Sequence, residues 1–166
     1  MIERKQTRLK YYDYGKNGAY FITICTNNHA KTLSNICRGD PCGRPKVEYS
    51  LLGKIVEKVL LSIPSMYDIK LDYYVIMPNH IHMILIIEER ATTRVAPTIG
   101  SIVGAFKSLV SNEWLNLCKS KGIFTDKIWQ RNYYDHVIRN EHDLYEIRKY
   151  IDENPLKWTL DKYYYK

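Results

Sequence analysis

The chain has few acidic residues, no long apolar runs and no paired cysteines, and each shortage excludes a class of protein. It carries 18 aspartates and glutamates against 25 lysines and arginines, for a net charge of +7. Such a surplus favours polyanionic partners, most often nucleic acid, although a basic surface can also simply be well solvated. No apolar run approaches the length of a membrane span. The sequence therefore predicts a nucleic-acid partner and no membrane.

The cysteines and the N-terminus argue for a reducing compartment. None of the four cysteines belongs to the C-x2-C pair that is typical of a zinc site. The first residues, Met-Ile-Glu-Arg-Lys-Gln-Thr-Arg, are polar and charged, so we expect no signal peptide. We therefore expect free thiols and a cytoplasmic location.

The pattern of apolar residues predicts an α+β fold in a single domain over residues 1–166, since neither repeats nor a linker divide the chain. Strands are predicted over 19–26, 69–77, 80–87 and 129–139. Helices are predicted over 51–62, 99–119 and 141–153, with Ser50, Thr98 and Asn140 as their N-caps. Pro64 is expected to end the first helix. This order contains the β-α-β-β-α-β pattern of a ferredoxin-like antiparallel sheet with helices packed on it.

Two segments lie outside this pattern. Residues 1–18 alternate basic side chains with tyrosines, and this basic arm could hold a phosphate backbone, although a loosely ordered terminus would have a similar composition. Residues 27–48 contain many turn signals, with two glycines and two prolines between Cys37 and Pro45. We interpret residues 35–48 as an insertion in an exposed surface loop, without a core element.

The central motif is His80-Ile81-His82, which follows a turn at Pro78-Asn79. Side chains alternate along a strand, so both histidines face the same side and could share one divalent cation. A pair of this kind more often packs in the interior or lies on the surface. Here, however, it interrupts a strand that is otherwise apolar, and a buried polar group needs a partner.

A second candidate pair lies in the last helix. Tyr150 and Asn154 are four residues apart, which places them on the same helical face. The amide oxygen could join two imidazoles around a cation, and the phenol could attack phosphorus if a metal polarised the phosphate. The same residues also fit a structural role, in which Tyr150 flanks the core and Asn154 ends the helix.

Several stretches resemble a known family. Met77-Pro-Asn-His-Ile-His-Met-Ile-Leu85 resembles the HUH motif (two histidines separated by a hydrophobic residue) of single-tyrosine transposases. Residues 14–26, 102–108, 129–140 and 150–155 resemble, in the same order, the REP-associated tyrosine transposase branch of that family. The resemblance implies a ferredoxin-like (RRM-like) sheet of the HUH endonuclease type, with the two histidines on a central strand.

The resemblance also implies a chemistry. A divalent metal, Mg²⁺ or Mn²⁺, would be held by His80, His82 and Asn154, and Tyr150 would form a 5′-phosphotyrosine link. The substrate would be single-stranded DNA beside a hairpin of REP-like palindromic sequence, in a bacterial cytoplasm and near the nucleoid. Related insertion-sequence enzymes often place Gln where this chain has Asn154. Relatives include monomers and helix-exchanging homodimers, so the subunit that supplies Tyr150 stays open.

The candidates for contact with DNA are basic residues outside the apolar stripes: Arg4, Lys5, Arg8, Lys10, Lys107 and Arg131. For Lys107, a solvated side chain is the alternative interpretation. Two other functions also remain open from the sequence. One is a non-catalytic protein that binds hairpin DNA on the same fold, and the other is a metal-dependent nuclease that uses water as its nucleophile.

Overall fold

The computed structural model describes residues 17–37, 45–88 and 97–164, which form six strands and three α-helices. In chain order the strands are β1 (Gly18–Cys25), β2 (Ser34–Cys37), β3 (Lys46–Tyr49), β4 (Lys70–Ile76), β5 (His80–Ile87) and β6 (Tyr134–Ile138). The helices are α1 (Leu51–Tyr67), α2 (Ile99–Ser120) and α3 (Glu141–Glu153). The main antiparallel sheet has the strand order β4-β5-β1-β6, and β2 pairs with β3 in a second sheet. The predicted β-α-β-β-α-β pattern and ferredoxin-like fold are confirmed.

The main sheet is buried on both faces, and alternation along β5 divides its side chains between two cores. Ile81, Met83 and Leu85 belong to the cluster that includes the apolar stripes of α1 and α2. Ile84 belongs to the smaller cluster that includes Ile151 of α3. Since side chains two residues apart share a face, the even-numbered histidines of β5 face the α3 side.

The helices begin where the sequence predicts. The side chains of Ser50, Thr98 and Asn140 cap the three helices by accepting from the backbone N–H three residues later. The prediction that Pro64 ends the first helix is wrong, because α1 continues to Tyr67. The burial of residues around the proline explains the continuation: Ile63 is 1% exposed and holds this part of the helix on the sheet.

The prediction that residues 27–48 contain only turns and loop is also wrong. Ser34–Cys37 and Lys46–Tyr49 pair as antiparallel strands, where we expected only loop. Each strand is four residues long, too short for the alternation to stand out against the glycines and prolines between them. Residues 38–44 lie outside the described residues, and the interpretation of 35–48 as an insertion stays a prediction.

The fourth predicted strand is shorter than expected. β6 covers Tyr134–Ile138, whereas Trp129 makes only an isolated bridge to Thr26, so residues 129–133 form an irregular segment before the strand.

Residues 1–16, with Arg4, Lys5, Arg8 and Lys10, lie outside the described part of the chain. None of the helices in the described ranges is long and apolar enough to cross a membrane. The assignment of residues 1–166 to one domain stays a prediction.

Gly53 allows α1 to approach the chain near Leu33. A Cβ atom at Gly53 would lie 2.0 Å from the carbonyl oxygen of Leu33, which also accepts from the N–H of Ser50 at 2.9 Å. The Gly53→Ala variant would have to push the helix away from this carbonyl. We expect it to lower the free energy of unfolding by about 1–3 kcal/mol, measured by urea denaturation.

Gly104 is the matched control, because it lies in the interior of α2 with nothing within 4 Å of a Cβ atom. There the main difference is that alanine loses less backbone entropy than glycine when the chain folds. Gly104→Ala should therefore raise the free energy of unfolding by about 0.5–1 kcal/mol. Changes of the same sign in both variants would contradict the proposed role of the Leu33 contact.

Candidate functional site

His80 and His82 lie next to each other on the buried face of β5. Both side chains are fully buried, and their ring centroids are 4.5 Å apart. β5 lies between β1 and β4, and its register places Thr23 opposite His82 and Cys25 opposite His80. The prediction of two histidines on one face of a central strand is therefore confirmed.

A neighbouring polar side chain orients each imidazole. The Nδ1 atom of His82 lies 2.8 Å from the hydroxyl of Thr23, and the Nδ1 atom of His80 lies 2.8 Å from Oδ1 of Asn79. The amide of Asn79 in turn donates to the carbonyl of Tyr163 at 2.7 Å. Since an amide oxygen only accepts, we assign the proton of His80 to Nδ1, which leaves a lone pair on Nε2.

The last helix brings both of its predicted residues to this pair. The hydroxyl of Tyr150 lies 3.2 Å from Nε2 of His82 in the same chain. The amide nitrogen of Asn154 donates to Asp161 at 2.8 Å, while its Oδ1 is buried without a hydrogen-bond partner among the described residues. Nε2 of His80 is buried without such a partner as well. Two lone pairs left this way are costly unless a cation or donor meets them, so the residues fit a metal ion.

Asp161 also lies at this site, although no sequence pattern predicts it there. After α3 the chain forms a short 3-10 helix, Trp158–Leu160, and returns across the site. Asp161 then accepts from the hydroxyl of Tyr150 at 3.3 Å as well as from Asn154. Ligand atoms of His80, His82 and Asp161 all lie within 4.8 Å of one another. No periodic pattern or motif marks this aspartate, and its only sequence signal is that it is an acid in a basic segment.

Burial sets the protonation states at the site. It lowers the pKa of His80 to about 4, with the charge of Asp161 opposing the change, and it lowers the pKa of His82 well below the usual value. Burial also raises the pKa of Tyr150, and the negative charge of Asp161 raises it further. At neutral pH the imidazoles are thus uncharged, as metal ligation requires, while the phenol keeps its proton and needs activation to become a nucleophile.

A cavity of about 420 Å³ opens beside Tyr150 and Asn154. Its lining includes the half-exposed ring of Tyr134 and two cations, Lys157 and Lys162. The ammonium of Lys162 lies 5.3 Å from the ring centroid of Tyr134, while Lys157 pairs with Glu153 at 2.5 Å. The space next to the phenol is therefore bordered by an aromatic face and by charges of both signs, since Glu153 and Asp161 line it together with the two lysines.

The two predicted DNA contacts within the described residues occupy different environments. The ammonium of Lys107 donates to the carbonyls of Gln130, Arg131 and Asn132 at 2.9, 3.3 and 3.1 Å, so it supports that loop. Its burial lowers its pKa to about 8. The side chain of Arg131 is exposed. Contact of either residue with DNA stays a prediction.

The chain is similar in sequence to a known family and to two proteins of one bacterium. The sequence model of the family described as "Transposase IS200 like" matches residues 17–154. An uncharacterized protein of Haemophilus influenzae is 37% identical, over 97% of this chain and 93% of that protein. A second protein of that organism, provisionally named a REP-associated tyrosine transposase, is 24% identical over 87% of this chain and 74% of its own length.

A solved structure shares the fold. It is a REP-associated tyrosine transposase bound to a REP hairpin, with a TM-score of 0.57 and 19% identity, and the match covers 98% of this chain and 77% of that one. At this identity the match concerns the fold alone.

The position of Tyr150 depends on how α3 is attached to the sheet. Arg148 makes two hydrogen bonds to Asp72 of β4, at 2.7 and 2.8 Å, and the Asp72 side chain is only 9% exposed. We expect Asp72→Asn to lower the free energy of unfolding by about 1–2 kcal/mol. The variant should also speed amide hydrogen exchange in α3.

The exposed pair of Lys58 and Glu113 provides the control, since its side chains are 72% and 36% exposed. Glu113→Gln should cost less than about 1 kcal/mol and leave exchange in α3 unchanged. Equal losses in the two variants would show that the Arg148 pair does not hold the helix.

Proposed function

The chain belongs to the IS200-like transposase family, and we propose that it cleaves and rejoins single-stranded DNA beside hairpins of REP-like palindromic sequence. The observation that carries the proposal is the position of the Tyr150 hydroxyl. It lies 3.2 Å from Nε2 of His82, which is one of two buried and uncharged histidines. The hairpin specificity draws on the relatives, one provisionally named a REP-associated tyrosine transposase and another solved with a REP hairpin.

His80, His82 and Asn154 would hold a divalent cation, Mg²⁺ or Mn²⁺. The two buried atoms without a partner among the described residues, Nε2 of His80 and Oδ1 of Asn154, are of the types that coordinate such ions. When bound, the ion would supply Lewis-acid polarisation of a non-bridging oxygen of the scissile phosphate.

Tyr150 performs the covalent step. Its hydroxyl oxygen attacks phosphorus, the new bond joins tyrosine to the 5′-phosphate, and the bond from phosphorus to the 3′-oxygen breaks. The phenol loses one proton and the departing 3′-oxygen gains one, so charge and protons balance. The phosphotyrosine ester retains the energy of the broken bond, so a 3′-hydroxyl can reverse the step on the same or another strand without a nucleotide cofactor.

Positive charge provides the surface for DNA. Lys157 and Lys162 border the cavity beside the nucleophile and suit the phosphates that flank the cleavage point. The DNA backbone farther from the nucleophile would contact Arg131 and the basic residues of the N-terminal arm, Arg4, Lys5, Arg8 and Lys10. Lys107, which supports the loop that carries Arg131, is a further candidate. Such a protein would act on DNA in the bacterial cytoplasm, at the nucleoid, as a monomer or a homodimer.

Labelled hairpin DNA with a single-stranded flank tests the proposal. Incubation with Mn²⁺ or Mg²⁺ should give an upstream fragment with a free 3′-hydroxyl and a protein adduct, joined to the 5′-phosphate of the downstream fragment, that survives denaturing electrophoresis. Tyr150→Phe should abolish the adduct and lower cleavage at least about a thousandfold. Tyr145→Phe is the matched control, since this tyrosine lies in the same helix but is 61% exposed, and its activity should equal that of the wild type.

The two other functions give different results in the same assay. A protein that only binds hairpins would bind the DNA in the presence of chelator and in Tyr150→Phe, and would never cut it. A nuclease that uses water would be inactivated by His80→Ala and would still cut after Tyr150→Phe. Either pattern would contradict the tyrosine mechanism.

A further inference from the structure

We propose that Asp161 is an additional ligand of the divalent cation, so that the site consists of two imidazoles, one amide oxygen and one carboxylate. This inference rests on the proposed function, because it concerns the same metal site. Asp161 follows the last helix, beyond the residues 17–154 that match the family, and its sequence context assigns it no role.

The distances between donor atoms support this assignment. Ligand atoms of His80, His82 and Asp161 lie within 4.8 Å of one another, and among the described residues these form the one such group of three. Ligands on opposite sides of a Mg²⁺ ion are about 4.2 Å apart, since each bond is about 2.1 Å long. Neighbouring ligands are about 3.0 Å apart in the same geometry, so donor atoms this close can meet around one ion through side-chain movements of about 1–2 Å.

The carboxylate is held in place by three hydrogen bonds. One oxygen accepts from Tyr150 and from Asn154, and the other accepts from the backbone N–H of Tyr163 at 2.6 Å. The bond from Asn154 uses its amide nitrogen and leaves its Oδ1 as the donor atom available to a cation. The same contact thus orients the amide and the carboxylate together, as partners around metal sites commonly do.

Charge gives the physical reason for a carboxylate here. Two neutral imidazoles and an amide contribute no negative charge to compensate a buried divalent cation. Hard cations such as Mg²⁺ and Mn²⁺ prefer carboxylate and carbonyl oxygens to imidazole. Before DNA arrives, no phosphate is present at the site, so the charge of Asp161 would determine how tightly the ion binds to the free protein.

Binding of Mn²⁺ to the full chain without DNA tests the inference. Electron paramagnetic resonance measures the free ion directly and does not depend on activity. Asp161→Asn keeps the shape of the side chain and removes its charge, and we expect the dissociation constant for Mn²⁺ to rise at least about tenfold. Asp152→Asn, at an exposed position of α3, is the matched control and should bind Mn²⁺ like the wild type.

A second variant distinguishes metal ligation by Asp161 from a purely structural role of its hydrogen bonds. Asp161→Glu keeps the carboxylate but disturbs the hydrogen bonds to Tyr150 and Asn154, so it should bind Mn²⁺ more tightly than Asp161→Asn. Urea denaturation without metal checks that both variants fold. If Asp161→Asn does not fold, the Glu variant decides: Mn²⁺ must still raise its melting temperature.

The outcomes distinguish this inference from the proposed function. Wild-type Mn²⁺ affinity in Asp161→Asn, equal losses in the Asn and Glu variants, or no Mn²⁺ stabilisation of the Glu variant would overturn the ligand role. Cleavage of DNA by the wild type would then still stand. In contrast, Mn²⁺ binding that depends on Asp161 with no DNA adduct in the wild type would overturn the proposed chemistry and keep the ligand assignment.

Discussion

Two uncharged imidazoles buried on one face of a central strand are the constraint on which the site depends. β5 is paired on both sides, and a shift of one residue in either register would turn His80 and His82 into the opposite core. Each Nδ1 atom needs a polar neighbour in this interior, and Thr23 and Asn79 provide one each. The sheet thereby fixes where both histidines lie and, for His80, which nitrogen is left for a ligand.

The contacts that stabilise the α3 face therefore also determine the geometry of the site. Ile151 and Trp158 pack in the cluster beneath the last helix, and Arg148 joins that helix to β4. Tyr150 lies between these two anchors, one residue before Ile151. Any change that loosens α3 would therefore move the phenol relative to His82, even where it touches neither residue.

The sequence predicted the parts of the site that local patterns encode. The bounds of β5 and α3 agree with the structure because alternation, a capping asparagine and four-residue spacing are local signals. Pro64 misled the prediction because tertiary burial outweighed its local effect. The position of Asp161 could not be predicted, because a turn after α3 brings it to the histidines and no spacing of residues in the sequence indicates that turn.

The position of Asp161 also bears on the order in which metal and DNA bind. Its carboxylate lies 3.3 Å from the hydroxyl that is proposed to attack a phosphodiester. Two like unit charges about 4 Å apart repel by about 4 kcal/mol at an effective dielectric constant near 20. In the free protein this repulsion would oppose entry of the proposed scissile phosphate, while Lys157 and Lys162 beside the cavity would attract the strand. If His80, His82, Asn154 and Asp161 held the proposed cation, the cation would compensate this negative charge, so Asp161 would favour binding of the metal before the DNA.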